Sequence, residues 1–209
     1  WVGGKPIFQV LYAIGISMML IVYLQRLGSA MVVGLAIAII VGGEWLLMMW
    51  WQPGGQVPFW LALTFAPDLG ETYTILYPAL PWLGMMMLGW VLGAHWVTDS
   101  PVASVSPSFL MRCGWFALTL FVILRGFDGY GNMFMHLEGH TLVDWLHISK
   151  YPPSLAYVFL ELGLMAIILA LLIHLESAAK CVNLNGPVLV FGQTALFFYH
   201  AFYQTQQMI

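Results

Sequence analysis

The chain reads as long apolar runs separated by polar connections of unequal length. A membrane-spanning helix needs about 20 mostly apolar residues. Six runs meet or approach that length: Ile7 to Leu24, Ser29 to Trp50, Thr74 to Val97, Ser108 to Leu124, Ser154 to Leu175, and one that starts near Pro187 and meets the chain end. All six are predicted to be helices, because an open sheet edge cannot satisfy its backbone polar groups in lipid. The predicted fold class is therefore all-α, a polytopic transmembrane bundle of about six spanning helices.

The connections alternate in length. Gln25 to Gly28, Thr98 to Pro107 and Glu176 to Gly186 are short, whereas Trp51 to Tyr73 and Arg125 to Pro153 are long. Successive spans reverse direction, so both long connections fall on one side of the membrane. They carry tryptophan, tyrosine, histidine and acidic residues, enough to build a site. Arg26, Arg112 and Lys180 lie on the short-loop side, and Lys5, Arg125 and Lys150 on the other. That tie leaves orientation open. Setting Arg125 and Lys150 aside as functional would make the short-loop side cytoplasmic.

Composition agrees with the pattern. The chain is 61% hydrophobic and only 7% charged, with a mean hydropathy of +0.87, against about 25% charged residues in a soluble domain. No basic run exists to bind nucleic acid. Cys113 lies in an apolar run and Cys181 in a short connection, so no disulfide framework is expected. No signal peptide is evident. The chain begins at Trp1 and ends at Ile209 within an apolar segment, so it is expected to be a fragment.

Two segments stand out because polar or turn-forming residues open an apolar run: Tyr77-Pro78-Ala79-Leu80-Pro81-Trp82 and Lys150-Tyr151-Pro152-Pro153-Ser154. Pro152 and Pro153 fix φ and keep the preceding residues extended, and Ser154 can cap the following turn. Lys150 beside a helix N-terminus opposes the helix dipole, which makes sense if an anion such as phosphate sits between them. A lysine snorkelling to lipid headgroups is the alternative. Arg125 ends its run, where a cation is favourable and Asp128 could pair with it. It could also face Lys150 as the second half of an anion clamp.

Glu44 and Glu161 fall inside apolar runs, where acids cost about 2.5–3.5 kcal/mol on insertion scales and usually face a cavity or a partner. Glu161, about 10 Å along its helix from Ser154, is expected to face the interior. His136, His140 and His147 share the second long connection, but their spacing with Glu138 is not that of a zinc protease. No metal site is expected from them, although a metal-dependent hydrolase remains a third reading. His200 in the last run could be packed or could carry protons. No Gly-x-Ser-x-Gly elbow and no phosphate-binding glycine loop occur.

These blocks resemble a family: bacterial membrane proteins similar to the catalytic domain of heparan-alpha-glucosaminide N-acetyltransferase. The resemblance runs through Phe8-Gln9-Val10-Leu11-Tyr12-Ala13-Ile14-Gly15, the Tyr77 to Trp82 segment with Gly84, Gly89 and Gly93, and Leu124-Arg125 with Tyr130-Gly131. It continues in Lys150-Tyr151-Pro152-Pro153-Ser154-Leu155 and in Phe191-Gly192 with Leu196-Phe197-Phe198-Tyr199. It implies a single multi-pass acyltransferase-like domain over residues 1–209, the C-terminal portion of a longer one truncated at both ends. That domain would move acetyl from acetyl-CoA to a sugar or glycan acceptor, an amino sugar. By the same resemblance, Lys150, Arg125, Ser154 and Tyr151 hold the acyl donor, while Tyr77, Trp82, Tyr130 and Tyr151 line the site.

The family's Asp-His motif, with its presumed catalytic histidine, has no counterpart here and is expected upstream of Trp1, so the isolated chain is expected to be inactive. Glu161 and His200 are the catalytic candidates within the chain. Departures from the family pattern are Asn132 for the loop Asp, Glu161 for a small polar residue, Ala195 for a common Pro, and His200 directly after Tyr199. The lipid bilayer is the expected partner, with a homo-oligomer left open, and a bacterial inner membrane the expected location. A transporter or flippase-like protein for a sugar or lipid, using Glu44 and Glu161 as substrate or proton sites, is the alternative.

Overall fold

The structure, a computed structural model, describes residues 6–51, 55, 57–70, 72–96, 106–139 and 141–179. The apolar segment from Pro187, together with His140, Cys181 and His200, lies outside the described residues. The described chain is mostly helical. In order it forms β1 (Ile7–Phe8), α1 (Val10–Leu24), α2 (Ser29–Trp50), α3 (Phe59–Thr64), β2 (Thr74–Ile75), α4 (Ala79–Trp96), α5 (Pro107–Phe127), α6 (Leu142–Leu146) and α7 (Leu155–Ala179).

Three helices are long and apolar enough to cross a membrane: α2, α5 and the Leu155–Leu175 part of α7. Val10–Leu24 and Ala79–Ala94 are apolar but shorter. At 1.5 Å per residue, α1 rises only about 22 Å, against about 30 Å of hydrocarbon. Of the five expected spans that fall among the described residues, three are thus long enough to cross and two are shorter apolar helices.

The shortening has a local cause. Ile7 and Phe8 pair in parallel with Thr74 and Ile75 as a two-residue ribbon, where helices are expected from Ile7 and Thr74. Pro78 lacks an N–H and pushes Tyr77 out of helical geometry, so α4 begins only at Ala79. Pro81 is tolerated in the first turn, where its N–H would have no intrahelical partner.

The helices form two groups. In one, α4 packs on α2 and α1; in the other, α5 packs along α7; α2 and α7 touch only lightly. Val32 and Ala36 of α2 meet Leu83 and Met87 of α4 in a buried cluster. Backbones come close in both groups. A Cβ on Gly84 would lie 2.8 Å from Ile40 Cγ1, and one on Gly114 would lie 2.9 Å from the Gly163 carbonyl oxygen and 2.5 Å from Ile167 Cγ1. Both long connections pack together at one end of the helices, where Leu61 and Ala66 of the first meet Met133 of the second around Leu47.

Candidate functional site

Two constellations occupy that end. The first is buried and built on opposite charges. Glu44, six residues before the end of α2 and 2% exposed, accepts through Oε1 from the backbone N–H of Gly131 (2.9 Å) and Met133 (2.7 Å). Its Oε2 accepts from Leu155 N–H at 3.4 Å. Arg125, at 0% exposure, does the converse. Nε donates to Trp145 O (3.1 Å), Nη1 to Asn132 Oδ1 (3.1 Å) and Met135 O (2.6 Å), and Nη2 to Asp144 O and His147 O (both 2.7 Å). A guanidinium has five N–H donors, and these bonds use them all. Asp128 Oδ1 stands 3.9 Å away.

The 128–147 segment is thereby held by its N–H groups on a carboxylate and by its C=O groups on a guanidinium. Between them the backbone takes conformations that L side chains rarely adopt, with φ of 46° at Asp128, 49° at Met133 and 62° at Phe134. Such residues persist only where the surroundings over-determine them. Asn132, 1% exposed, accepts from Arg125 and donates through Nδ2 to Leu124 O and Gly129 O (both 3.3 Å). An aspartate could not make the last two bonds. Tyr130 donates its hydroxyl to Val41 O. Burial, and then the field of Glu44, raise its phenol above the ordinary value, so it stays a donor.

Sequence reasoning places an external anion between Lys150 and the N-terminus of α7. In the structure the chain supplies that anion itself. Ser154 N–H goes to Ser149 O (2.9 Å), Leu155 N–H to Glu44, Ala156 N–H to Gly131 O (2.8 Å) and Tyr157 N–H to Ser154 Oγ (3.1 Å). All four N–H groups that lack partners at a helix start are met. Ser154 caps the helix as expected, while Arg125 has no donor left for a ligand.

The second constellation is aromatic and open. Tyr77 and Tyr151 bring their hydroxyl oxygens within 2.6 Å and their rings within 4.8 Å. Trp82 lies 5.2 Å from Tyr77, and Tyr157 lies 6.4 Å from Trp82, centroid to centroid. Lys150 is exposed, its Nζ 5.4 Å from the centre of the Tyr151 ring. The indole Nε1 of Trp82 is buried without a hydrogen-bond partner. Glu161 is exposed, one helical turn beyond Tyr157 and close enough for its charge to act on that phenol. This corrects the expected interior placement of Glu161: the buried intramembrane acid is Glu44.

The structure thus brings Tyr77, Trp82, Tyr151 and Lys150 to one place, and sets Arg125 and Ser154 in the buried frame, with Tyr130 at its exposed edge. Tyr157 escapes sequence reasoning, although its position three residues after the cap and four before Glu161 marks it. His136 contacts Asp128, Nδ1 to O at 3.0 Å and to Oδ2 at 3.5 Å. Among the described residues no group of three His, Cys, Asp or Glu side chains is placed to hold a metal.

Apolar spanning helices with a polar end built from two long connections define a membrane-embedded helical protein. Residues 6–122, more than half of the chain, match the family model described as heparan-alpha-glucosaminide N-acetyltransferase, catalytic. The chain belongs to that family. Tyr77, Trp82 and Glu44 lie inside the matched stretch, and Arg125, Lys150 and Glu161 follow it. Comparison with curated proteins and with solved structures finds no match.

Proposed function

We propose that the chain belongs to a membrane-embedded acetyltransferase that passes the acetyl group of acetyl-CoA to an amino-sugar acceptor, with the open aromatic cluster as the substrate site. The observation that carries this reading is the 2.6 Å approach of Tyr77 and Tyr151. It joins the Tyr-Pro segment, inside the family-matched stretch, to the Lys-Tyr-Pro-Pro-Ser segment outside it. Aromatic faces, two hydroxyls, a lysine and a carboxylate within a few turns suit a polar ring and a phosphorylated donor. At this end of the described residues Lys150 is exposed and outside the buried frame, so it is the cation to pair with donor phosphate.

In the proposed reaction the acceptor nitrogen attacks the thioester carbonyl, the carbon–sulfur bond breaks, and coenzyme A leaves as the thiolate. The paired tyrosine hydroxyls stand where they could donate to the developing oxyanion. Among the described residues, the exposed carboxylate of Glu161, one turn beyond Tyr157, would take the proton that the nitrogen loses. The transport alternative is less well supported, because three backbone N–H groups hold Glu44 and leave it poorly placed to bind a cargo.

Acetyl-CoA titrated into the full-length protein in lipid nanodiscs tests the proposal. Loss of one charge-assisted hydrogen bond costs about 1.5–3 kcal/mol, so Lys150→Ala should weaken binding about tenfold to a hundredfold. Equal affinity in the two proteins overturns the donor assignment.

A further inference from the structure

A cavity of about 810 Å³ lies between the two helix groups, at the upper end of the range of roughly 300–1,000 Å³ that suits a small-molecule ligand. Met85, Leu88 and Leu92 of α4 form one wall, and Leu110 of α5 with Phe159 and Leu162 of α7 form the other. Its lining is apolar apart from Ser106 and Cys113. Gly89 also lines it, and a Cβ there would meet nothing within 4 Å. Gly84, Gly114 and Gly163 each meet a neighbour instead, whereas Gly89, like Gly15, Gly34, Gly42 and Gly93, borders open space.

The cavity begins where the aromatic cluster ends. Met85 lies one turn beyond Trp82 on α4. Leu162 and Met165, which also line the cavity, lie next to Glu161 and one turn beyond it on α7. From Met85 to Leu92 the wall runs about 10 Å along α4, comparable to the reach of an octyl chain. A polar cluster of tyrosines, Lys150 and Glu161 therefore lies next to an apolar slot along α4 and α7. Walls that are apolar apart from Ser106 and Cys113 give a soluble sugar little to bind there, whereas a hydrocarbon chain fills them.

We infer that the acceptor is an amphiphile: a sugar carried on an alkyl or prenyl chain, with the sugar at the aromatic cluster and the chain in the cavity between α4, α5 and α7. This rests on the acceptor reading above and specifies the acceptor's class. The chain enters from the membrane side, between helices that make little contact across the slot.

Photolabelling tests it without relying on turnover. An octyl glucosaminide bearing a diazirine at the chain end is irradiated with the full-length protein in phosphatidylcholine nanodiscs, and labelled residues are mapped by mass spectrometry. Labels should concentrate on Met85, Leu88, Phe159 and Leu162. Excess unlabelled octyl glucosaminide should suppress them; at about ten times its Kd only about a tenth of the sites stay free. Gly89→Phe should abolish the cavity labels, and Gly89→Ala, which leaves the slot open, should keep them. Labels spread over outward residues such as Met18 and Leu172 overturn the inference. So does equal cavity labelling by a diazirine octanol at the same bilayer mole fraction, which would mean a lipid chain with no sugar at its head. Acetylation of free glucosamine together with outward labelling alone leaves the transferase reading standing and removes the amphiphile. Cavity labelling that needs the sugar, without acetyl transfer to any acceptor, does the reverse.

Discussion

Glu44 and Glu161 present the same chemistry in the same setting, a carboxylate inside an apolar helix, and the structure uses them in opposite ways. Glu44 is buried and takes three backbone N–H groups from two different segments. Glu161 is exposed on α7, with no hydrogen bond or ion pair to it among the described residues beyond the field it exerts on Tyr157. A buried charge is tolerated only when its hydrogen-bonding capacity is filled, so the interior of a membrane protein selects acids that organise backbone. An exposed acid at membrane depth is stable where it faces water or a ligand, whereas lipid costs it about 2.5–3.5 kcal/mol. The same contrast separates Arg125 from Lys150. One spends every donor on the fold, and the other keeps its charge at the open site.

Breaking the buried half should have the largest effect. Arg125→Met strands the carbonyls of Met135, Asp144, Trp145 and His147 and the Asn132 side chain. Removing one side of such a buried charged network typically costs about 3–5 kcal/mol. Denaturant titration in detergent micelles should show a loss of that size, and an unchanged midpoint would mean that the segment does not depend on the guanidinium.

Glu44→Gln comes next. A glutamine oxygen can still accept from Gly131 and Met133, but its NH₂ group then faces Leu155 N–H, donor against donor. The expected cost is one unsatisfied buried group, about 1–3 kcal/mol. Glu44→Ala empties the place of the anion at the start of α7. Added formate should then restore part of the lost stability, whereas no effect of formate would show that the N-terminus of α7 does not need the charge.

The long apolar runs made the helical class legible, and the Pro-Pro-Ser arrangement made the start of α7 legible to within a residue. Two things were hidden. The ends of α1 and α4 depend on a two-residue parallel pairing between Ile7–Phe8 and Thr74–Ile75, a long-range contact that leaves no periodic trace. The roles of Glu44 and Arg125 depend on which backbone groups the 128–147 segment turns toward them, and backbone direction is not written in residue types. The open cluster was more readable, since Tyr77, Trp82 and Tyr151 sit beside prolines that fix where each helix begins. The placement of Glu161 was misread because an intramembrane acid signals only that lipid is excluded, and an open site excludes lipid as well as an interior does.

Within the open cluster, Tyr151→Phe removes the hydroxyl contact with Tyr77 while keeping the ring. A hydrogen bond of this kind contributes about 0.5–1.5 kcal/mol net. Stability should therefore fall by no more than that, while acetyl transfer by the full-length protein should fall further if the hydroxyl pair meets the oxyanion. Equal, small losses in both measurements would assign the pair to packing.

The smallest expected effect is the most discriminating for the comparison between the two acids. Glu161→Leu exchanges an exposed carboxylate for an apolar side chain of similar bulk about 10 Å along α7 from Ser154. If the position faces lipid, the wild-type charge is a burden of about 2.5–3.5 kcal/mol, and the leucine variant should be more stable by a comparable amount. If it faces the aqueous mouth of the aromatic cluster, the substitution behaves like one at a protein surface and changes stability by no more than about 0.5 kcal/mol. The proximity of Tyr157, one helical turn before it on α7, favours the second outcome. Unfolding of the two proteins in bicelles separates the cases. A marked gain in stability would place Glu161 against lipid and remove it from the site.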